Sequence, residues 1–263
     1  MYLCTYHSHC NFCDGKAPAE DFVKAAIEAG FHSYGISSHS PLPFETRWSL
    51  SKGNVEVYLT EIKRLQEKYA GQIELYVGME IDYLNDDWGP AVEYFQRMPL
   101  DYRIGSVHLV TEEQTGEIMD MYGKFEDFRE NLRLVFHDDL RYLVEAYFKA
   151  SSRMVELGGF DFVAHLDKIS MNGSLMDSTL TEQEWYNRLL WDYMSLIAKK
   201  GVMVEVNTKA YTKKGMMFPN VKYFKWLKEL NIHVMVNSDA HLPQLVNDNR
   251  ALVFEWLREV GIK

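Results

Sequence analysis

Short apolar runs alternate with longer amphipathic stretches along the whole chain. Residues 2–7 (YLCTYH) carry the β-branched and aromatic side chains of a strand. Pro18 opens AEDFVKAAIEAG, whose apolar positions recur at helical spacing until Gly30 stops it. Residues 33–37 (SYGIS) form the second predicted strand, and Asn54 fits the N-cap of the amphipathic run 55–71. A third strand is predicted at 73–79 (IELYVGM), a helix at 88–98 and a fourth strand at 102–107 (YRIGSV). Residues 125–157 are helical in pattern throughout, long enough for two helices. The fifth strand falls at 161–164 (DFVA), and Thr181 with Glu184 makes a capping box for the helix that follows. A sixth strand at 202–206 (VMVEV), a helix at 220–230, a seventh strand at 232–236 (IHVMV) and a mostly helical end at 243–261 complete the pattern.

Strands that alternate with helices predict a parallel sheet, and no composition break divides the units, so residues 1–263 read as one domain. Both an open doubly wound sheet and a closed barrel fit the alternation. The histidines decide between them. His7 and His9 close the first strand, His39 follows the second, His108 ends the fourth and His165 ends the fifth. Glu80 follows the third strand, and Asp239 and His241 follow the seventh. A closed parallel barrel brings all the carboxyl ends of its strands to one face, where barrel enzymes build their sites. An open sheet would strew these residues along an edge, with the first and last strands apart. The expected fold is therefore an α/β, TIM-like barrel of seven βα units with a metal site at the C-terminal ends of the strands.

His32 and His233 precede their strands and His137 lies within a helical run, so these three belong off the active face. His7 and His9 are two apart, which points both rings to one side of a strand. Imidazole suits Zn, Fe and Mn, and carboxylates add charge neutralisation and can bridge two cations. Six histidines with Glu80 and Asp239, and Asp14 as a ninth ligand, exceed what one four-coordinate ion needs. The count implies two or three divalent transition metal ions: zinc, iron or manganese.

Charge narrows the partners. Lys plus Arg number 28 against 38 Asp plus Glu, a net charge of −10, which argues against a general nucleic-acid binder. No run approaches 18 uncharged apolar residues, and the N-terminus lacks the basic and apolar regions of a signal peptide, so a cytoplasmic protein without membrane partners is expected. Three cysteines, Cys4, Cys10 and Cys13, are too few for a secreted disulfide framework. Cys10 and Cys13 have the spacing of a thiolate pair but no second pair, and are read as small side chains packed beside a site made by other residues.

The motifs His7-Ser-His9-x4-Asp14-Gly15, His39, Glu80, His108, His165 and Asp239-Ala-His241 resemble the polymerase and histidinol phosphatase (PHP) family, in family order over essentially the whole chain. GSVH at 105–108 and VEVNT at 204–208 look most like its histidinol-phosphate phosphatase branch. The resemblance implies a distorted barrel of seven βα units and three metals. It places His7, His9, Glu80 and Asp239 on the first, with Glu80 bridging to a second held by His108 and His165. Asp14, His39 and His241 would hold the third. Cys13 stands beside Asp14 where the family often has serine.

Such a cluster suits hydrolysis of a phosphate monoester. Cations about 3.5–4 Å apart hold a bridging hydroxide at neutral pH and neutralise the phosphoryl oxygens. No P-loop or G-x-S-x-G is present. Glu80, Asp239 and His241 are the candidates for catalytic roles. A phosphate ester approaching an acidic chain needs local cations, and Arg47, Lys209, Lys213 and Lys214 fall on the correct face, with Asn207 as a further contact. Phe44 and Trp48 would pack on an imidazole or cover the mouth. The leading expectation is a small-molecule phosphate ester, L-histidinol phosphate by resemblance. The alternatives are a nucleotide or sugar phosphate, an amidohydrolase-like barrel with a carbonyl substrate, and a metal-storing or regulatory barrel without activity.

Overall fold

The computed structural model describes residues 3–262. Seven parallel strands run in the order β1 (Cys4–Thr5), β2 (Ser33–Ile36), β3 (Glu74–Asp82), β4 (Tyr102–Ser106), β7 (Phe162–Val163), β8 (Met203–Asn207) and β9 (Val234–Asn237). A two-stranded antiparallel hairpin, β5 (Leu109–Thr111) with β6 (Ile118–Asp120), is inserted after β4. The first and last strands meet through a parallel bridge between Ser8 and Ala240, with His9 N donating to Ala240 O at 2.9 Å. Below the bridge, the Asn237 side chain replaces a backbone ladder: its Oδ1 accepts from Tyr6 N at 2.8 Å and Thr5 Oγ1 at 3.1 Å. This substitution explains why the first strand is shorter than predicted; residue 2 of that prediction lies outside the described residues.

The barrel is plugged rather than hollow. Tyr102 lies across its interior and donates to Tyr6 O at 2.6 Å. Gly35 and Gly78 make room for it, since a Cβ on either would sit 2.2 Å from Tyr102 ring or hydroxyl atoms. Ile104, Phe162 and Ala164 fill the same layer. Outside, one apolar cluster joins the sheet to α1 (Ala19–Glu28) and α2 (Val55–Lys68), and a larger one to α4 (Phe125–Phe136), α5 (Leu140–Leu157) and α7 (Glu184–Lys200). Among the described residues no helix is long and apolar enough to cross a membrane.

Three local expectations differ from what forms. Asn54 ends a 3₁₀ turn, Lys52–Asn54, and makes no side-chain cap for α2. Thr181 lies in another such turn, Leu180–Glu182, so the capping box does not form; Gln183 is the N-cap residue of α7, and the Thr181 carbonyl accepts from Asn187 at 2.9 Å. The helix expected at 88–98 shrinks to α3 (Glu93–Gln96), because Asn85–Trp88 closes a tight turn that consumes Trp88 in a bond to Leu84 N.

Candidate metal centre

The nine candidate ligands converge at the carboxyl ends of the strands. Gly15 sets the first part of this geometry. A Cβ there would lie 2.3 Å from His9 O, so only glycine lets the chain fold back and carry Asp14 over the His9 ring. His165 (φ 24°) and Asp239 (φ 48°) sit in left-handed backbone immediately after their strands. Such conformations cost about 1–3 kcal/mol each and collect at functional sites.

Glu80 lies at the centre, fully buried. Its Oε2 is 3.1 Å from His7 Nε2, 3.3 Å from His9 Nε2 and 3.0 Å from His39 Nδ1. Oε1 is 2.8 Å from His165 Nε2 and 3.6 Å from His108 Nε2. Asp239 Oδ1 is 3.1 Å from His9 Nε2 and 3.7 Å from His7 Nε2. Asp14 Oδ1 is 3.1 Å from His241 Nε2, 3.8 Å from His39 Nε2 and 4.0 Å from His9 Nδ1. Three groups have ligand atoms mutually within 4.8 Å: His7, His9 and Asp239; His39, Glu80 and His108; and His9, Asp14, His39 and His241. His165 joins through Glu80.

These donors fit metal ions better than they fit one another. Glu80 Oε2 has three imidazole nitrogens within 3.3 Å, yet forms no hydrogen bond of acceptable geometry with any of them. Asp14 Oδ1 and His39 Nδ1 are likewise buried without a hydrogen bond. Buried polar atoms are normally paired, so lone pairs that face a shared space and miss each other mark places for cations. Electrostatics agree. Burial alone would raise the carboxyl pKa of Glu80, but His7, His39 and His108 outweigh it and hold Glu80 well below the usual carboxylate range. Burial also opposes ionisation of Asp239, and Lys209 with His7 overcomes it. Burial lowers His9, helped by His39 and His241, and lowers His108 and His165, the last to about 3. Neutral imidazoles and ionised carboxylates are the forms that ligate. His7 and His39 are shifted the other way: burial would lower them, but Glu205, Asp239 and Glu80 raise His7 well above its usual value and Glu80 raises His39, so ions at the centre would displace protons from these two rings.

Two carboxylates behind the ligands escaped the sequence reading. Glu205 Oε1 lies 2.7 Å from His7 Nδ1, and its Oε2 accepts from His165 N and Asn207 Nδ2, both at 3.0 Å. Asp82 Oδ1 lies 2.8 Å from both His108 Nδ1 and His108 N. Burial pushes the Asp82 carboxyl up to about 7. Each carboxylate directs the far nitrogen of its histidine inward. A lone acid inside an apolar strand, VMVEV, was the available signal for Glu205.

A cavity of about 520 Å³ opens on this centre. Asn207, Lys209, Lys213 and Lys214 line it as expected, together with Lys16 and Lys168, which the sequence reading did not single out. Lys209 Nζ sits 3.4 Å from Asp239 Oδ1 and 3.0 Å from His241 Nε2, and Asn207 Nδ2 donates to Asp239 Oδ2 at 3.1 Å. Arg47 is placed differently: it lines a neighbouring depression with Phe44, Thr46 and Ile118. Trp48 and Asp120 border both spaces, tied by Trp48 Nε1 donating to Asp120 at 3.0 Å. Trp48 packs on His39 and His108, with ring centroids 4.9 and 5.5 Å away. Cys13 Sγ is 3.5 Å from His9 Nδ1, and burial pushes its thiol up to about 12; Cys10 is buried beside Ser38. Cys13 therefore touches a candidate ligand directly, whereas Cys10 is packed against Ser38. His32, His137 and His233 are exposed and away from the centre.

The chain is 25% identical to a probable histidinol-phosphatase of Deinococcus radiodurans, over 98% of this chain and 94% of that protein. It is 23% identical to a histidinol-phosphatase of Bacillus subtilis, over 89% and 92%. Among solved structures, a Lactococcus lactis histidinol phosphate phosphatase complexed with zinc, L-histidinol and phosphate superposes with a TM-score of 0.74 at 19% identity, covering 100% of this chain and 95% of that one. A Listeria monocytogenes protein described as a candidate histidinol phosphatase gives 0.81 at 23% identity, covering 95% and 99%. The profile of the PHP domain matches residues 5–209, most of the barrel, and the chain belongs to the PHP domain family.

Proposed function

We propose that this protein is a metal-dependent phosphomonoesterase that hydrolyses L-histidinol phosphate to L-histidinol and phosphate. The observation that carries the chemistry is Glu80, whose two oxygens face two separate sets of imidazoles without bonding to one set geometrically. A carboxylate so placed fits a bridge between two cations. The substrate rests on the similarity to proteins named histidinol-phosphatases, two of which align over nine-tenths or more of their own length. His7, His9, Glu80 and Asp239 would hold one ion, Glu80, His108 and His165 a second, and Asp14, His39 and His241 a third. Zinc suits this mixed donor set, as do iron and manganese. When bound, the cations supply charge neutralisation for the phosphoryl oxygens and an activated water at neutral pH.

The chain's own residues do the rest. Glu205 and Asp82 hold His7 and His108 in the orientation that keeps their Nε2 atoms inward. Lys209 and Asn207 fix Asp239 from the cavity side. Trp48 covers the His39 and His108 rings and limits water at that wall. The test is steady-state phosphate release from histidinol phosphate, p-nitrophenyl phosphate and a nucleoside monophosphate at one metal loading, with and without chelator. Efficiency on histidinol phosphate should exceed the others by orders of magnitude and vanish with chelator. Equal efficiencies would remove the substrate and keep the phosphoesterase; activity that survives complete metal removal would remove the metal dependence.

A further inference from the structure

Lys168 is a basic residue that is 9% exposed and lines the cavity, yet its side chain forms no hydrogen bond or ion pair with any described side chain. Its Nζ lies 4.6 Å from the centroid of Tyr122, whose hydroxyl is fixed by donating to Val107 O at 3.1 Å. The other cations differ. Lys209 already contacts Asp239 and His241, and Lys213 and Lys214 are exposed at the rim. Lys168 follows His165 by one turn, with Lys168 N donating to His165 O at 2.9 Å. Burying an ammonium without an anion is costly, and such groups persist where an anionic partner arrives from outside.

We propose that Lys168 selects phosphate monoesters over diesters by holding a terminal oxygen that a diester does not have. A monoester carries three non-bridging oxygens and up to two charges; a diester carries two and one. Cations at the centre take some of those oxygens. The additional oxygen of a monoester requires another donor, and the Lys168 ammonium is the one unpaired buried cation among the described residues on this wall. Tyr122 gives the ammonium an aromatic face that favours the charge and restricts its direction. The enclosed position also matters: a second ester substituent would have to displace the buried ammonium. The inference deepens the phosphoesterase reading and rests on it only for turnover, since anion binding can be measured alone.

The experiment compares parent, Lys168→Met and Lys168→Arg, each loaded with zinc and checked for metal content. Efficiency is measured on p-nitrophenyl phosphate and on bis(p-nitrophenyl) phosphate, and affinity for inorganic phosphate by calorimetry. In Lys168→Met, monoester efficiency should fall on the order of 10²-fold, as when one preorganised donor to a charged oxygen is lost. Diester efficiency should hold or rise, and inorganic phosphate should bind at least tenfold more weakly. Lys168→Arg should recover most of the monoester preference. The efficiency ratio is independent of the fraction of enzyme that holds metal. Equal losses on both esters, or phosphate affinity within twofold of the parent, would overturn the proposal. Should the parent turn over neither these esters nor histidinol phosphate, the phosphoesterase reading fails and the calorimetric comparison still decides the role of Lys168.

Discussion

Replacing Glu205 by glutamine tests how far the centre depends on residues that never face substrate. The carboxylate is fully buried and serves three donors: Oε1 faces His7 Nδ1 at 2.7 Å, and Oε2 accepts from His165 N and Asn207 Nδ2 at 3.0 Å each. Glutamine has the same shape but a single acceptor oxygen. If that oxygen faces His7, the new NH2 group points at two other donors. If the amide is reversed, NH2 faces His7 Nδ1, and the imidazole must carry its proton on Nε2, the nitrogen that faces Glu80 and Asp239. Either orientation costs. A hydrogen bond to a charged acceptor contributes about 1.5–3 kcal/mol against about 0.5–1.5 kcal/mol between neutral groups, and a buried donor left unpaired costs about 1–3 kcal/mol. The net loss of roughly 1.5–3 kcal/mol corresponds to about 10- to 100-fold in metal affinity, the usual range for such supporting groups. The assay is competition for zinc against a chromophoric chelator, with circular dichroism to confirm the fold. A zinc affinity within twofold of the parent would refute the reasoning, because His7 would then be oriented by something else.

Glu80→Ala should lose bound metal and turnover together, read by elemental analysis and phosphate release; unchanged metal content would sink its bridging role. His32→Ala, His137→Ala and His233→Ala should retain full metal content, since all three are exposed and off the cavity. Chelation should lower the thermal midpoint, because ligand at 100 times its dissociation constant stabilises by about 2.7 kcal/mol; an unshifted midpoint would mean that the folded state gains nothing from metal. Tyr142→Phe removes a donor 2.6 Å from Glu112, whose carboxyl is held at about 2 chiefly by that hydroxyl and by Thr115 N. A depressed folded pKa stabilises above the unfolded value of about 4.3 and is lost as pH falls toward 2. The urea-unfolding gap between parent and variant should therefore be full at neutral pH and shrink between about pH 4 and pH 2.

The candidate ligand set was legible because it repeats one relationship: a histidine or carboxylate at or just past the end of an apolar run. That relationship survives errors of a residue or two in strand boundaries, so His39 and His165 were identifiable even though β7 has only two residues. The hairpin at 109–120 was not legible, since LVTEEQTGEIMD is mostly polar and its strands form only against the α4 core, where Met119 and Met121 are buried beside Phe128 and Leu132. Lys168 was hidden for a different reason. In HLDKIS a lysine reads as a solvated loop charge, and only the tight turns after His165 carry it inward beneath Tyr122. Arg47 shows the converse: a loop after the correct strand does not fix the side of Trp48 on which its side chain falls.

The seam of the barrel explains why the ends of the chain carry so many candidate ligands. The first and last strands are joined by the Ser8–Ala240 bridge and by side chains, Asn237 to Tyr6 N and Thr5, and Arg250 to Val236 O and the Cys4 carbonyl, rather than by a continuous ladder. His7 and His9 leave one side of this seam, and Asp239 and His241 leave the other. Their ligand atoms approach within hydrogen-bonding distance across it, with His9 Nε2 and Asp239 Oδ1 3.1 Å apart. A cation shared by His7, His9 and Asp239 would therefore connect strands separated by most of the sequence at the place where backbone pairing is thinnest. Strain points the same way. Asp239 is held at φ 48° one residue before the bridging Ala240, so the turn that positions the ligand also closes the sheet. Site assembly and barrel closure are thus one structural event, and a substitution that disturbs either should be felt in both.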